Sequence, residues 1–318
     1  MSRKHRPTGW PPAPEPLPGP VVDDHTHLDS LAEWVAPGWG ASEDDDAPVP
    51  LAAHLGRAAG VGVDRVVTVA CDVDAIRWTD AFLRDLEDGV LAGVGVLAAA
   101  AIHPNEAALH AGVREIAPDG LDPDPRPRHD LQLDEAIALV AATVRANPRF
   151  RAIGETGLDF FRAGPRGRAV QREAFRAHVA LAKELGLPLQ IHDRDAHADV
   201  VEILLADGAP ERTVFHCFSG DVELARTCAE HGWYLSIAGP VTFRANDQLR
   251  AAVGSVPLEL LLTETDAPYL TPHPDRGRPN SPYLLPATLR EIARVRDEPL
   301  ERVCAVTAAT AEGLYGPW

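Results

Sequence analysis

Lysine, cysteine and long hydrophobic runs are scarce in this chain of 318 residues. Lys4 and Lys183 are its only lysines, so a Schiff-base lysine or a carboxylated lysine that bridges two metals has almost no candidate. The four cysteines form no CxxC pair, which argues against a thiolate zinc site or a disulfide framework and favours a reducing compartment. The longest uncharged apolar stretch, residues 89–102, is shorter than the about 20 residues that a membrane-spanning helix needs.

Positive charge is also in short supply. The sequence has 30 lysines and arginines against 47 acidic residues, and its formal net charge is −17. This balance argues against binding nucleic acid through a broad basic surface, because neutralising phosphates takes Lys and Arg. It leaves open a small site in which metal ions supply the positive charge. Prolines occupy the positions where a signal peptide would have its apolar core, so we expect a cytoplasmic protein that does not associate with a membrane. We also expect no obligate protein partner.

The order of β-rich and helical segments predicts the fold. Residues 1–20 contain seven prolines and no periodic pattern, so we expect a flexible N-terminal tail followed by a single domain over residues 21–318. Helical stretches alternate with eight short β-rich runs, at 21–24, 65–70, 96–102, 151–154, 189–191, 213–215, 233–237 and 260–263. This alternation predicts the α/β class and one (β/α)8 TIM barrel, with an open doubly wound sheet as the alternative.

Two acidic segments interrupt the alternation, at residues 37–50 and 117–130. Their aspartates and prolines indicate solvated loop insertions, which we expect to lie away from the chemistry. His178 lies on the long predicted helix 170–185, where it is expected to pack against the barrel rather than to bind a metal ion.

Ligand-type side chains stand at the ends of five predicted strands. His25 and His27 are two residues apart at the end of the first strand, so both imidazoles can point to one side and reach one ion. Four more such residues end the fourth, fifth, sixth and eighth strands: Glu155, His192, His216 and Asp266. In a barrel these strand ends converge on one rim, where such enzymes build their sites. Four histidines and two carboxylates suffice for two metal ions, whereas core polar residues would have no reason to share this position.

Longer motifs extend this pattern along the chain. They are DDHTHLD at 23–29, IHPNE at 102–106, GETGLDFF at 154–161, QREAFRAHVALAKELGLPLQIHDRDA at 171–196, FHCFSG at 215–220, LSIAGPVTF at 235–243, TETDAPYL at 263–270 and RPN at 278–280. With these motifs the sequence resembles the TatD-family metal-dependent hydrolases, the TatD-like DNases, which are a branch of the amidohydrolase-like TIM barrels. The similarity runs from residue 21 to the C-terminus. The proline-rich tail and the two acidic segments have no counterpart in the family pattern.

The resemblance implies a centre of two divalent metal ions and hydrolytic activity of the DNase type. One ion would be held by His25, His27 and Asp266, the second by His192 and His216, with Glu155 as the bridge between them. Asp266 and Glu155 are the implied catalytic residues, with Asp266 as the general base beside the nucleophilic water. Glu264 would hold a further metal ion or orient water. Histidine and carboxylate ligands suit Zn²⁺, Mg²⁺, Mn²⁺ or Fe²⁺, so the identity of the ions stays open.

Four side chains are candidates for binding the substrate. Arg194 is two residues beyond His192, and its fork of donors suits a phosphate or a carboxylate, although a structural salt bridge is the alternative. His103 follows the third strand, and Arg276 and Arg278 follow the eighth. Cys217 is expected to pack with its side chain turned away from the metals, because side chains alternate along a strand.

These observations favour a metal-dependent deoxyribonuclease that hydrolyses phosphodiesters in single-stranded DNA or at DNA ends. A barrel mouth accepts a flexible strand more readily than a duplex, which would need a wider basic surface. The alternatives are an ester, amide or lactone hydrolase with the same metal centre, and a barrel that binds without catalysis.

Overall fold

The structure is a computed structural model that describes residues 9–34 and 49–318. The predicted acidic segment 37–50 lies outside the described residues except at its last two positions. The strands are β1 Val21–Thr26, β2 Val63–Ala70, β3 Val90–Leu91, β4 Val94–Ala100, β5 Phe150–Asp159, β6 Leu189–Arg194, β7 Thr213–Phe215, β8 Tyr234–Ile237 and β9 Leu261–Thr263. The helices are α1 Leu28–Glu33, α2 Leu51–Gly60, α3 Val73–Asp85, α4 Pro104–His110, α5 Leu133–Ala146, α6 Pro165–Leu185, α7 His197–Asp207, α8 Val222–Glu230, α9 Asp247–Ser255, α10 Leu285–Arg296 and α11 Leu300–Tyr315.

Eight parallel strands form the predicted barrel. They follow one another in chain order, β1-β2-β4-β5-β6-β7-β8-β9, and the short β3 pairs antiparallel to β4. Backbone bonds from Asp266 N–H to the His25 carbonyl (2.9 Å) and from His27 N–H to the Ala267 carbonyl (2.8 Å) join the last strand to the first. The prediction of a (β/α)8 barrel is therefore confirmed. Among the described residues, no helix has the length and apolar character that crossing a membrane requires.

The strands bury both faces, so their apolar runs are nearly continuous. On β2, Val67 and Val69 point into the barrel, where they meet Leu97 of β4, while Val66 and Ala70 face the surrounding helices. This alternation separates a small inner core from a larger outer core.

The last helix, α11, packs against the inner core of the barrel. The hydroxyl of Tyr315, in α11, donates to Asp24 Oδ2 (3.0 Å), and Ser236 Oγ donates to Asp24 Oδ1 (2.6 Å). Gln190 Nε2 donates to the Tyr315 hydroxyl (2.8 Å). Burial raises the pKa of Asp24 to about 8, and these two hydroxyl donors oppose the rise. Asp24 thus has hydrogen-bond partners for both carboxylate oxygens, one from another strand and one from α11.

The proline-rich segment lies against the barrel over residues 9–20. The Leu17 side chain is buried, and its N–H donates to the Val61 carbonyl (2.9 Å). Tyr283 donates its hydroxyl to the Pro11 carbonyl (2.8 Å), and the Trp10 ring packs on His54 at 4.3 Å. A free tail was expected because prolines cannot form a periodic element. Their carbonyls still accept hydrogen bonds from side chains of the barrel, however, and this packing is what the sequence pattern did not reveal.

His178 packs as predicted and gives the fold a pH dependence. Its Nδ1 bonds to the Ala174 carbonyl (2.8 Å), and its Nε2 accepts the Ile102 N–H (3.2 Å), an arrangement that only the neutral ring allows. Burial lowers the pKa of His178 from 6.5 to about 4. Because the folded protein then binds fewer protons than the unfolded chain, its stability is full above pH 6.5 and falls towards pH 4.

We expect His178→Gln to remove up to about 3 kcal/mol of this pH dependence, which is the free energy of a shift of this size. The measurement is the free energy of unfolding by urea at pH 7 and pH 4, for the wild type and the variant. Metal-free protein keeps ion binding out of the comparison. Equal losses of stability in the two proteins would show that His178 titrates in the fold as it does in the unfolded chain.

Candidate metal centre

The six predicted ligands meet at the carboxyl end of the barrel, and all line or lie beneath one cavity. His25 is in β1, and His27 follows that strand at the start of α1. His216 directly follows β7, and Asp266 comes three residues after β9. The prediction that Glu155 ends its strand is wrong, because β5 continues to Asp159.

Glu155 lies at the centre of the cluster. Its Oε1 is 2.5 Å from His192 Nδ1 and 3.3 Å from His216 Nε2. Its Oε2 is 3.7 Å from His25 Nε2. One carboxylate thus faces histidines from three different strands or strand ends, an arrangement that a ligand bridging two cations requires.

Asp266 faces His27 and also His25, which lies between the two carboxylates. Its Oδ1 lies 3.2 Å from His27 Nε2 and 4.0 Å from His25 Nε2. His27 Nδ1 lies 2.9 Å from the Val69 carbonyl, and this contact fixes the ring so that Nε2 points at the carboxylate. Orientation of a ligating histidine by a backbone carbonyl is typical of metal sites.

His25 shows that the cluster suits a metal ion. The side chain is fully buried, and its Nε2 has no hydrogen-bond partner among the residues that the structure describes. The nearest carboxylate oxygens, from Glu155 and Asp266, are 3.7 and 4.0 Å away. Ligand atoms that share one ion, each about 2 Å from it, lie about 3–4 Å from one another. A buried imidazole nitrogen at this separation from two carboxylates can hold a divalent cation.

The carboxylates stabilise positive charge in the cluster. Burial alone would lower the pKa of His192, but the charge of Glu155 and the contact with Asp159 raise it to about 9. Burial likewise opposes a charged His27, and Asp266 raises its pKa to about 9. Burial would raise the pKa of Glu155, yet the histidines around it hold it well below its usual range. This field favours a cation whether a proton or a metal ion carries the charge.

Glu264 lies beside the ring nitrogen of His216 that does not face Glu155. It is fully buried, and its Oε1 lies 2.9 Å from His216 Nδ1 and accepts the Cys217 N–H at 2.9 Å. Histidine and carboxylate in this arrangement are typical of a ligand and the group that orients it. The position suits orientation of His216 better than the alternative of holding a further ion.

Two residues in the cluster were not predicted. Asp159 is buried at the end of β5, 3.4 Å from His192 Nε2, and it accepts a hydrogen bond from Asn105 Nδ2 at 3.0 Å. Asp159 could have been predicted from the alternation of side chains along β5, because Glu155, Gly157 and Asp159 point to the same side of the strand. Cys71 directly follows β2, and its Sγ is 3.4 Å from Glu155 Oε2. Cys71 could have been predicted in the same way as the histidines, because it also stands at the carboxyl end of a strand.

Cys217 does not turn away from the cluster as predicted. Its φ is 44°, so the extended strand has already ended and side chains no longer alternate. Its Sγ lies within 4.8 Å of ligand atoms of His216 and Glu264, and the residue lines the cavity. Burial raises the pKa of the thiol beyond the usual range for cysteine, so the group is a neutral part of the lining.

The second acidic segment lies beside the chemistry, contrary to expectation. The cavity has a volume of about 840 Å³, and residues 117 and 121–124 line it together with His27, Glu155 and His192. Composition identified this segment as a loop but could not place it, because the position of a loop depends on the elements it connects. Here it follows α4, at the same end of the barrel as the metal cluster.

The arginines predicted to bind substrate lie in different places. Arg194 lines the cavity, with its guanidinium carbon 4.0 Å from the centre of the Phe161 ring. Arg276 stacks on Phe243 at 4.5 Å, outside the cavity lining. Arg278 donates to the Gly9 carbonyl at 2.8 Å and so holds the N-terminal segment. Arg276 and Arg278 were predicted from the positive charge of the loop that they share, but both side chains make contacts outside the cavity.

His103 lies at the edge of the cluster. Its Nδ1 accepts the Asn105 N–H (3.2 Å), so the neutral ring carries its proton on Nε2. That nitrogen lies 3.8 Å from Glu155 Oε1, and the residue lines the cavity. His103 can therefore donate a hydrogen bond to a molecule held at the cluster.

A (β/α)8 barrel whose strand ends gather histidines and carboxylates in an open cavity defines the amidohydrolase-like class of metal-dependent hydrolases. Comparison with known sequences narrows the class, since the profile of the family described as TatD related DNase matches residues 22–316. The chain belongs to the TatD family of metal-dependent hydrolases.

Individual relatives agree with this assignment, and a solved structure shares the fold. An uncharacterized metal-dependent hydrolase TatD of Mycobacterium tuberculosis is 41% identical over 301 residues, which cover 93% of this chain and 98% of the relative. A protein of Citrobacter rodentium named 3'-5' ssDNA/RNA exonuclease TatD is 39% identical over 199 residues, 60% of this chain and 74% of the relative. The crystal structure of the TatD homologue YJJV from Escherichia coli K12 superposes with a TM-score of 0.73 at 22% identity and covers 94% of this chain and 98% of that one.

Proposed function

We propose that the protein is a metal-dependent phosphodiesterase that hydrolyses single-stranded DNA, or DNA ends, at a centre of two divalent metal ions. The observation that carries this proposal is the position of Glu155, whose two oxygens face His25, His192 and His216 from different strands. The relative named as a single-strand exonuclease supports the choice of substrate class.

The proposed ligand sets are those that the family resemblance implies, and the distances around Glu155 and Asp266 support them. His25, His27 and Asp266 would hold one ion, and His192 and His216 would hold the second, with Glu155 between them. When bound, two such ions lower the pKa of a coordinated water and neutralise charge that develops on phosphate oxygens.

The side chains of this chain would supply the remaining steps. Asp266 accepts a proton from the attacking water at its carboxylate, which lies 3.2 Å from Nε2 of His27, a proposed ligand of the same ion. His103 donates its Nε2 proton in a hydrogen bond to a phosphate or leaving-group oxygen. Arg194 binds a neighbouring phosphate, with Phe161 as the surface on which its guanidinium rests.

The shape and charge of the mouth favour a single strand. Glu106, Glu115 and Asp122 line the same cavity as the cluster, and the chain as a whole carries a net charge of −17. A duplex presents two rows of phosphates, which such a surface repels, whereas a single strand or a frayed end can place one phosphate at the metal centre.

The direct test of the function is turnover by metal-stripped protein to which Mg²⁺, Mn²⁺ or Zn²⁺ is returned. Substrates are end-labelled single-stranded DNA, the same sequence as RNA and as duplex DNA, and a panel of carboxylic esters and lactones. We expect metal-dependent shortening of the single strand in preference to the duplex. Cleavage of the esters or lactones alone would contradict the proposal and place the enzyme among the other hydrolases of its class.

Arg194→Ala is expected to raise KM for the oligonucleotide about tenfold with little change in kcat, because a charge-assisted contact to a phosphate contributes about 1.5 kcal/mol. Arg276→Ala is the matched control, since that arginine also stacks on a phenylalanine but lies outside the cavity lining. Steady-state kinetics with both variants measures the difference. Equal effects, or an effect of Arg276 alone, would mean that the substrate leaves the cavity along another path.

A further inference from the structure

The cavity extends well beyond the metal cluster. Part of it lies between the chain that follows β4 and the chain that follows β5. This part, which we call the side arm, is lined largely by apolar side chains: Leu109, Val113, Ala117, Leu121, Pro123 and Ala163. A substrate held at the metal centre therefore has an apolar surface beside it, in a cavity of about 840 Å³.

Exposed apolar side chains also concentrate around this mouth. Leu121 and Tyr269 are 52% and 45% exposed, and both line the cavity. Ile116 and Phe161 are exposed too, and each is next in sequence to a residue of the lining. Apolar surface gathered in this way on a soluble protein is typical of a ligand-binding site.

The charged groups of the side arm disfavour an anion. Glu106, Asp122 and Asp124 contribute carboxylates to the lining. Arg162 also lines it, but its guanidinium lies 3.5 Å from the carboxylate of Asp119. Two of these carboxylates, those of Glu106 and Asp124, are paired with arginines of the chain. Asp122 has no hydrogen-bond or ion-pair partner among the described residues, so an entering phosphate would meet its negative charge, and the part of the substrate that enters is neutral.

Glu115 occupies the N-terminus of α6, a position beside the side arm that would otherwise attract a phosphate. Its carboxylate accepts the N–H groups of Arg166 (3.2 Å) and Gly167 (2.9 Å) in the first turn of α6. The first turn of a helix offers unpaired N–H groups and a positive dipole, which bind anions. With this position taken by a carboxylate of the chain itself, the side arm presents acceptors and apolar walls.

We propose that the side arm binds a nucleobase of the nucleotide next to the scissile phosphate, and that it prefers adenine or cytosine to thymine. A base is neutral and flat, and its faces suit apolar walls. Adenine and cytosine carry exocyclic amino groups with two N–H donors, whereas the single N3–H of thymine lies between two carbonyl oxygens that a carboxylate repels. This inference rests on the proposed function, because it presumes a phosphodiester at the metal centre.

Asp122 is the carboxylate assigned to the amino group. The other acids of the arm already accept hydrogen bonds from within the chain: Glu106 from Arg128, Glu115 from α6 and Asp124 from Arg126. Asp122 is exposed and lies next to Leu121, directly after the turn at residues 117–120, so the base and its amino group would meet consecutive residues of the lining.

The experiment compares kcat/KM for single-stranded oligonucleotides of dA, dC and dT of equal length. For the wild type we expect values about tenfold higher for dA and dC than for dT, which is the effect of one hydrogen-bonded contact to a base. Leu121→Ala combined with Asp122→Asn is expected to bring the three values within about twofold of one another. Both residues are exposed, and circular dichroism checks that the variant is folded. Asp134→Asn, which removes a carboxylate outside the cavity, should retain the wild-type preference.

Two further probes separate this proposal from the proposed function. An oligonucleotide of abasic tetrahydrofuran sites has neither a base nor another flat ring, so its hydrolysis reports the metal centre and should be equal in the wild type and in the double variant. Titration calorimetry with deoxyadenosine and thymidine reports the side arm without chemistry, and deoxyadenosine should bind about tenfold more tightly. Equal kcat/KM for dA and dT in the wild type, or equal affinity for the two nucleosides, would overturn the base-binding proposal. Failure to hydrolyse any phosphodiester would overturn the proposed function instead, while the nucleoside titration would still decide the side arm.

Discussion

Asp266→Asn is expected to lower kcat about 10²- to 10⁴-fold, the usual contribution of a positioned general base. An amide cannot take a proton from the attacking water, although it retains an oxygen close to His27, which lies 3.2 Å from the native carboxylate. KM for the oligonucleotide should change little, since the substrate contacts assigned to Arg194 and His103 stay in place. Steady-state kinetics at saturating metal measures the effect, and elemental analysis of the same sample establishes how much metal the variant retains.

The control for this variant is Asp72→Asn. Asp72 lines the same cavity, but its carboxylate accepts the N–H groups of Asp74 and Ala75 at the start of α3, and asparagine can replace it there. Its kcat should stay within about twofold of the wild type, the range of a minor perturbation. A fully metal-loaded Asp266→Asn enzyme with near wild-type kcat would show that another group accepts the proton.

Glu155→Gln is expected to weaken metal binding more than about 100-fold, because even residues that only support a ligand contribute about 10- to 100-fold to affinity. The native carboxylate lies 2.5 Å from His192 and 3.3 Å from His216, and it offsets the positive charge gathered there. A neutral amide leaves His192 without its nearest counterion and removes one of the two carboxylates beside His216. Hydrolysis should be lost at stoichiometric metal, with part of it restored by excess metal.

Metal content after dialysis, and thermal melting with and without added ion, measure this change independently of turnover. A ligand that binds only the folded state at 100 times its dissociation constant stabilises it by about 2.7 kcal/mol, so the wild type should gain a clear increase in Tm and the variant little. Glu115→Gln provides the comparison, since its side chain serves the start of α6 rather than the cluster. Retention of two ions per chain by Glu155→Gln would contradict a bridging role.

The barrel and the convergence of the proposed ligands were predictable because both depend on short-range patterns. Strand periodicity placed His25 in β1, and the rule that barrel sites form at the carboxyl ends of strands grouped it with His192 and Asp266. The chain order of the parallel strands then needed no further information, since consecutive strands of such a barrel are neighbours.

The errors arose where distant segments meet. The length of β5 depends on its register with β6, in which Gly157 pairs with His192. A Cβ at Gly157 would lie 2.1 Å from the His192 carbonyl oxygen, so the close approach needs glycine, and its partner is not visible in the local sequence. The side arm was also not predictable from the local sequence, because its walls come from segments that are separated along the chain by the whole of α5.

The contact between Tyr315 and Asp24 has a consequence for synthesis on the ribosome. The two residues are 291 positions apart, so at about 5–20 residues per second the partner of Asp24 is made roughly 15–60 s after Asp24 itself. Until then the first strand carries a carboxyl group whose burial is incompletely compensated. The N-terminal strands can pair with their neighbours as they emerge, but the floor of the barrel is completed only with the final helix. The barrel can therefore reach its final packing only after α11 has been synthesised.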